Sequence, residues 1–247
     1  MMDYTNKMGA AAKQQTMDLG LREYMLRVYN YMAAALALTG VSAFVTMSFD
    51  PIARLMFNFS EYGHVTGTTM FGMLVMISPI GIAWYFFSGA GRMDVSKSQM
   101  MLAIYSVLTG MSLASLGFIY TGESIARTFF ICSSVFGAMS IYGYTTKKDL
   151  TSMGSFAVMG MIGLLIATLI NMFLHSPAIY FATSILGVVI FMGITAWNTQ
   201  QMKSVYYSVG GGEMGQRMAV VSAFTLYLDF INLFLYLLRF FGVRRDN

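Results

Sequence analysis

The stretch Leu226–Gly242, LYLDFINLFLYLLRFFG, lies within an apolar run from Met218 to Phe241. That run has about 24 residues, enough for a helix to cross a hydrocarbon layer of roughly 30 Å. Asp229 is the only acidic residue inside any long apolar run of this chain. Ser222, Thr225, Asp229, Asn232, Tyr236 and Arg239 follow one another at steps of three or four, so they share one stripe of a helix. A polar stripe facing lipid would leave its groups unpaired, so this one should face protein or water. An ionisable side chain at that depth is a candidate functional residue.

Composition agrees with a membrane setting. The chain has 247 residues, 57% hydrophobic and 11% charged, where a soluble domain carries roughly 25% charged. Seven apolar segments are expected, at about 25–49, 68–89, 99–119, 125–144, 154–174, 178–201 and 218–241. The fold class is therefore all-α, a polytopic membrane protein with seven transmembrane helices. Residues 1–23 read as a polar, mobile cytoplasmic tail without the pattern of a cleavable signal peptide, and 24–247 as the membrane domain. Small residues four apart, Ser106, Gly110 and Ala114 in one segment and Gly163, Ala167 and Asn171 in another, mark faces for close helix packing.

Lys and Arg set the expected orientation. With the N-terminus cytoplasmic, Lys7, Lys13, Arg22, Arg27, Arg92, Lys97, Lys147, Lys148, Lys203 and Arg217 lie inside. Only Arg54 and Arg127 lie in outer loops. Seven crossings then place Arg239, Arg244 and Arg245 outside, against that bias. Segment length favours a crossing by the last helix and charge favours its return; crossing is the expectation adopted. The net charge of +4 reflects this topology and not nucleic-acid binding.

Other chemistry is sparse. Cys132 is the single cysteine, which excludes an internal disulfide, and it reads as a packed small residue. The Met and Phe residues read as packing material. Glu123 and Arg127, four apart, read as an interfacial ion pair. His64 and His175 are far apart in sequence, without a metal-binding pattern. The loop Gly210–Glu213, GGGE, matches no phosphate-binding fingerprint and reads as a hinge. No nucleophile–base arrangement is recognisable, and an intramembrane aspartyl protease would need a second carboxylate. No enzyme activity is expected. Asn198, in AWNTQQMK, reads by itself as a helix-end residue satisfied by backbone groups. Arg92, in GAGRMDVSK, reads by itself as a cationic anchor near the headgroups.

Several motifs together carry a resemblance. LYLDFINLFLYLLRFFG resembles the C-terminal signature of the Bax inhibitor family, also called the transmembrane Bax inhibitor motif family. GYTTKKDLTSMGSF, NMFL, AWNTQQMK and YTGESIARTFF agree with it, over about Gln99 to Arg245, and the bacterial members are the nearest in pattern. The resemblance implies six helices around a central seventh. It also implies a pH-sensitive calcium or cation leak in a bacterial inner membrane. In that scheme two aspartates, of helices six and seven, pair and are latched by an arginine of helix two. The helix-seven aspartate falls on Asp229, the arginine on Arg92 and the helix-six aspartate on Asn198, where this chain departs from the pattern. Two close carboxylates can share a proton; an Asp–Asn pair cannot. Asp229 is then the one carboxylate offered to a metal ion, and a hard divalent cation prefers several anionic oxygens. No resident cofactor is expected, with calcium as the transported ion. The alternative is a non-conducting regulator, with a membrane-bound quality-control protease or other membrane proteins as partners beside the lipid bilayer. Nucleic acid is not an expected partner.

Overall fold

The computed structural model describes residues 2–61, 64–89 and 93–245, with side chains from residue 19 onward. Its elements are α1 (Met2–Ser48), α2 (Asp50–Met56), β1 (Phe57–Phe59), β2 (Val65–Thr68), α3 (Met70–Gly89), α4 (Val95–Ile119), α5 (Gly122–Thr145), α6 (Thr151–Leu174), α7 (Pro177–Val209) and α8 (Gly212–Phe241). Seven of these helices contain a stretch long and apolar enough to cross a membrane; in α1 it is Leu19–Ser48. The chain is an all-α, multi-pass membrane protein.

The helices overrun the apolar segments, because the last turns of a membrane helix project beyond the hydrocarbon and carry polar residues. α7 runs to Val209, so Asn198 lies inside a helix and not at its end as its local sequence suggests. The connection 50–67 is also more than a loop. It contains α2 and an antiparallel hairpin in which Phe57 pairs with Thr68 and Asn58 with Gly67. Phe57 and Phe59 of the hairpin pack edge-on against Phe118 of α4, with ring centroids 5.5 and 5.9 Å apart. The end of the bundle bearing the hairpin is called the hairpin face below. The other end, with Lys147, Lys148 and the Gly210–Gly212 turn, is the loop face.

α8 is the most buried of the seven spans. In its most apolar window 61% of residues are buried, against 11–39% in the other six spans. It packs on α1, α4, α5 and α7. α3 reaches it through Phe86, whose ring lies 4.6 Å from that of Phe224. α6 packs on α7 and is the most exposed of the spans.

Close approach of backbones is set by glycines at particular points. A Cβ on Gly110 of α4 would stand 2.3 Å from the Thr39 carbonyl of α1, and one on Gly143 of α5 would stand 2.1 Å from the Ala196 carbonyl of α7. Ser106, Gly110 and Ala114 are all buried and form a packing face, as their spacing predicts. Gly163 is different: it is exposed and has open space around it. α6 instead buries Gly154, Ala157 and Leu164, and Gly154 lies against the Trp197 ring of α7. Small-residue spacing alone does not distinguish a helix-facing stripe from a lipid-facing one.

Several polar groups in the spans are paired within the bundle, as a membrane favours, although the buried Ser98 and Thr128 hydroxyls and the Trp197 indole N–H have no hydrogen-bond partner among the described residues. Pro79 of α3 cannot donate to the Val75 carbonyl one turn back; the Ser78 hydroxyl does so at 2.8 Å and the Ser112 hydroxyl of α4 at 3.4 Å. The Thr39 hydroxyl lies 3.0 Å from the Ala35 and Ser106 carbonyls and 2.7 Å from the Tyr227 hydroxyl, joining α1, α4 and α8. Between α5 and α6 the exposed Asp149 carboxylate accepts from the N–H and hydroxyl of Thr151, at 2.9 and 2.6 Å, which hold it below the usual carboxylate range.

α8 crosses the whole bundle. Beyond its end, the Thr121 N–H donates to the Val243 carbonyl at 2.9 Å and the Arg245 N–H to the Ile119 carbonyl at 3.0 Å. Tyr120 and Arg244 form an antiparallel bridge. The chain end is thus fixed to the α4–α5 turn, on the hairpin face.

Candidate functional site

Asp229 lies seventeen residues along α8, 5% exposed among the packed side chains of the core. The Asn198 side-chain amide of α7 donates to its Oδ2 at 2.7 Å. α7 can present that amide because α7 and α8 run side by side in extensive contact. The small Ala196, two residues earlier, lets α5 approach at Gly143, so Asn198 sits where α5, α7 and α8 converge. A carboxylate lifted out of water needs a donor, and the amide supplies a directed one without adding charge.

The rest of the stripe divides along α8. Toward the loop face, the buried hydroxyls of Ser222 and Tyr24 of α1 are 2.8 Å apart. Tyr24 also lines a cleft of about 270 Å3 between α1 and the Gly210–Gly212 turn. Its ring lies 5.5 Å from that of Tyr206, whose hydroxyl covers Gly20. In that turn Gly210 and Gly212 take φ of 70° and 77°, a backbone region that glycine enters at little cost, so the GGGE sequence supplies a sharp reversal between α7 and α8. Thr225 and Asn232 donate to their own helix, at the Val221 and Leu228 carbonyls. Toward the hairpin face, Tyr236 stacks on Phe191 of α7, with centroids 5.6 Å apart, and covers Gly187. The Arg239 guanidinium lies over the rings of Tyr236 and Tyr180, at 5.3 and 5.8 Å. Ser222, Asp229, Tyr236 and Arg239 of the stripe thus meet other helices, while Thr225 and Asn232 are half-buried and bond only within α8.

The structure therefore joins Asp229 to Asn198. Arg92 lies outside the described residues. Among the described residues the ion pairs are Arg27–Glu23, Lys97–Asp94 and Arg217–Glu213, and the expected Glu123–Arg127 pair is not one of them. Cys132 is buried, with its thiol 3.7 Å from the Phe230 carbonyl. Sequence reading missed Tyr24 and Gly187, which bring α1 and α7 onto the stripe, and Gly143, which brings α5 onto α7. Only Gly143, in the motif GYTTKKDL, carried any signal.

Comparison with known proteins decides the family. Residues 21–246 match the family described as inhibitor of apoptosis-promoting Bax1. The chain belongs to the Bax inhibitor family. It is 58% identical over 246 residues to a protein of Rickettsia prowazekii strain Madrid E, with 100% of each chain covered. It is 40% identical over 247 residues to a Caulobacter vibrioides protein, covering 98% of this chain and 97% of that one. It is 36% identical over 228 residues to the inner membrane protein YbhL of Escherichia coli K12, covering 92% and 94%. In this chain the contact between α7 and α8 joins one carboxylate, Asp229, to one amide, Asn198.

Proposed function

We propose that this protein is a cation leak of a bacterial inner membrane, with its N-terminus in the cytoplasm. The observation that carries the reading is the 2.7 Å contact between Asn198 and Asp229 inside the bundle. A lone buried carboxylate is costly to keep in the membrane interior, and a pathway for cations is a reason to keep one. In this reading Asp229 is the anionic stop on the path, and the Asn198 amide occupies one of its oxygens when no cation is present. A passing cation displaces the amide hydrogen and takes carboxylate and amide oxygens together. With a single negative charge the site favours a weakly held or singly charged ion over tightly held calcium. The reading also makes the protein a non-enzyme without a resident cofactor.

The test is flux of calcium, sodium and protons into proteoliposomes across a pH series, for wild type and Asp229→Ala. Flux in wild type that falls in the variant supports the leak. Flux no greater than in empty liposomes, from protein that remains folded, overturns it.

A second reading is a non-conducting regulator of other membrane proteins, such as a quality-control protease. The same contact favours it in one respect: Asp229 is already satisfied by Asn198. Under this reading Asp229→Asn keeps the partner while flux is absent from both forms.

A further inference from the structure

Three arginines near the chain end oppose the bias of positive charge toward the loop face; Arg239 lies over the Tyr236 and Tyr180 rings, and the other two border a cavity. Arg244 and Arg245 stand on the hairpin face, their backbone fixed by the Tyr120 bridge and the bond from the Arg245 N–H to the Ile119 carbonyl. Both border a cavity of about 680 Å3 between the hairpin, the end of α4 and the chain end. Phe57 and Phe118 give it an apolar wall; Ser115 and His64 complete a polar one. Among the described residues no Asp or Glu lines it. Neither arginine takes part in an ion pair among the described residues.

Two guanidiniums at the border of one cavity suit a phosphate, whose oxygens accept several N–H donors. The cavity stands beside an apolar wall, where charge is screened less than in open water. The wall also offers a surface to whatever carries the phosphate. Phe57 belongs to the small apolar cluster under the hairpin and Phe118 packs against it, so this wall is held by its neighbours.

We propose that the hairpin-face cavity binds a phosphate group through Arg244 and Arg245, with an apolar portion of the same molecule against Phe57 and Phe118. A phospholipid headgroup and a free phosphate share this chemistry. Both arginines are exposed, so binding is of moderate strength and sensitive to salt.

The experiment is thermal unfolding of the full-length protein in an uncharged detergent, with added dioleoylphosphatidylglycerol, added dioleoylphosphatidylcholine or added inorganic phosphate. The phosphatidylglycerol arm is expected to raise Tm by roughly 2–5 °C at saturation. The double variant Arg244→Gln/Arg245→Gln should lose most of that rise. These side chains are exposed and their backbone bonds remain, so the variant should fold, and its Tm without additive verifies this. Arg54→Gln/Arg127→Gln, on the same face but outside the cavity, should keep the rise. A rise with inorganic phosphate alone makes the ligand a free phosphate. A rise only with lipid makes it a headgroup. The proposal is overturned if no probe shifts Tm, if the Arg244/Arg245 variant responds like wild type, or if the control variant loses the response equally.

Discussion

The Asn198 amide nitrogen stands 2.7 Å from Oδ2 of Asp229, fixing α7 to α8 inside the bundle. Asn198→Asp replaces that donor by a second carboxylate at hydrogen-bond distance. Two carboxylates so close hold one proton between them, which a neutral amide cannot do. Flux and calcium-dependent thermal stabilisation, measured from mildly acidic to mildly alkaline conditions, should depend more steeply on pH in the variant than in wild type. Calcium should stabilise the variant more at the alkaline end, where both carboxylates ionise. Identical curves from two folded proteins would show that the pair is not a titrating unit.

Asn198→Ala removes the donor and leaves the buried carboxylate without it. The expected loss is about 1–3 kcal/mol. Asp229→Leu removes the carboxylate instead and leaves only the amide to be satisfied, so it should be less damaging to Tm than Asn198→Ala while abolishing flux. Wild-type flux from Asp229→Leu would remove Asp229 from the pathway.

Gly143 and Gly163 separate packing from mere smallness. Gly143→Ala drives a methyl into the Ala196 carbonyl and pushes α5 from α7, at a cost of about 1–3 kcal/mol. Gly163→Ala enters open space and should leave Tm unchanged or raised. Equal effects in melting experiments would contradict the α5–α7 contact.

Tyr24→Phe keeps the ring against Tyr206 and deletes the hydroxyl paired with Ser222. It should cost about 1 kcal/mol. An unchanged Tm would mean that this hydroxyl does not hold α1 to α8.

Orientation is tested with single cysteines. Cys132 is buried, so it leaves a quiet background. A cysteine at Lys147 should resist impermeant reagents applied to intact cells, and one at Glu123, on the opposite face, should react. The reverse pattern would invert the topology.

Sequence reading located the spans well because hydropathy over some twenty residues is a strong signal. It placed Asp229 on a protein-facing stripe because a polar stripe in lipid is untenable. It could not see where helices end, since polar last turns resemble loops, and so Asn198 looked terminal. It could not see the hairpin at 57–68, whose strands are only three and four residues long. Nor could it rank small residues: Gly143 and Gly163 look alike in sequence, and only the partner helix distinguishes them. Tyr24 was hidden for a similar reason, as its partner is 198 residues away.

The bonds between the α4–α5 turn and the chain end have a practical side. A purification tag or fluorescent protein fused directly after Asn247 would pull on backbone already engaged with Ile119 and Thr121. A short flexible spacer would leave those bonds intact, whereas cutting the chain at Phe241 would strip the turn of its partners. Variants that differ only in these few residues should therefore differ in yield and melting temperature, and a reporter placed there reads the hairpin face of the bundle.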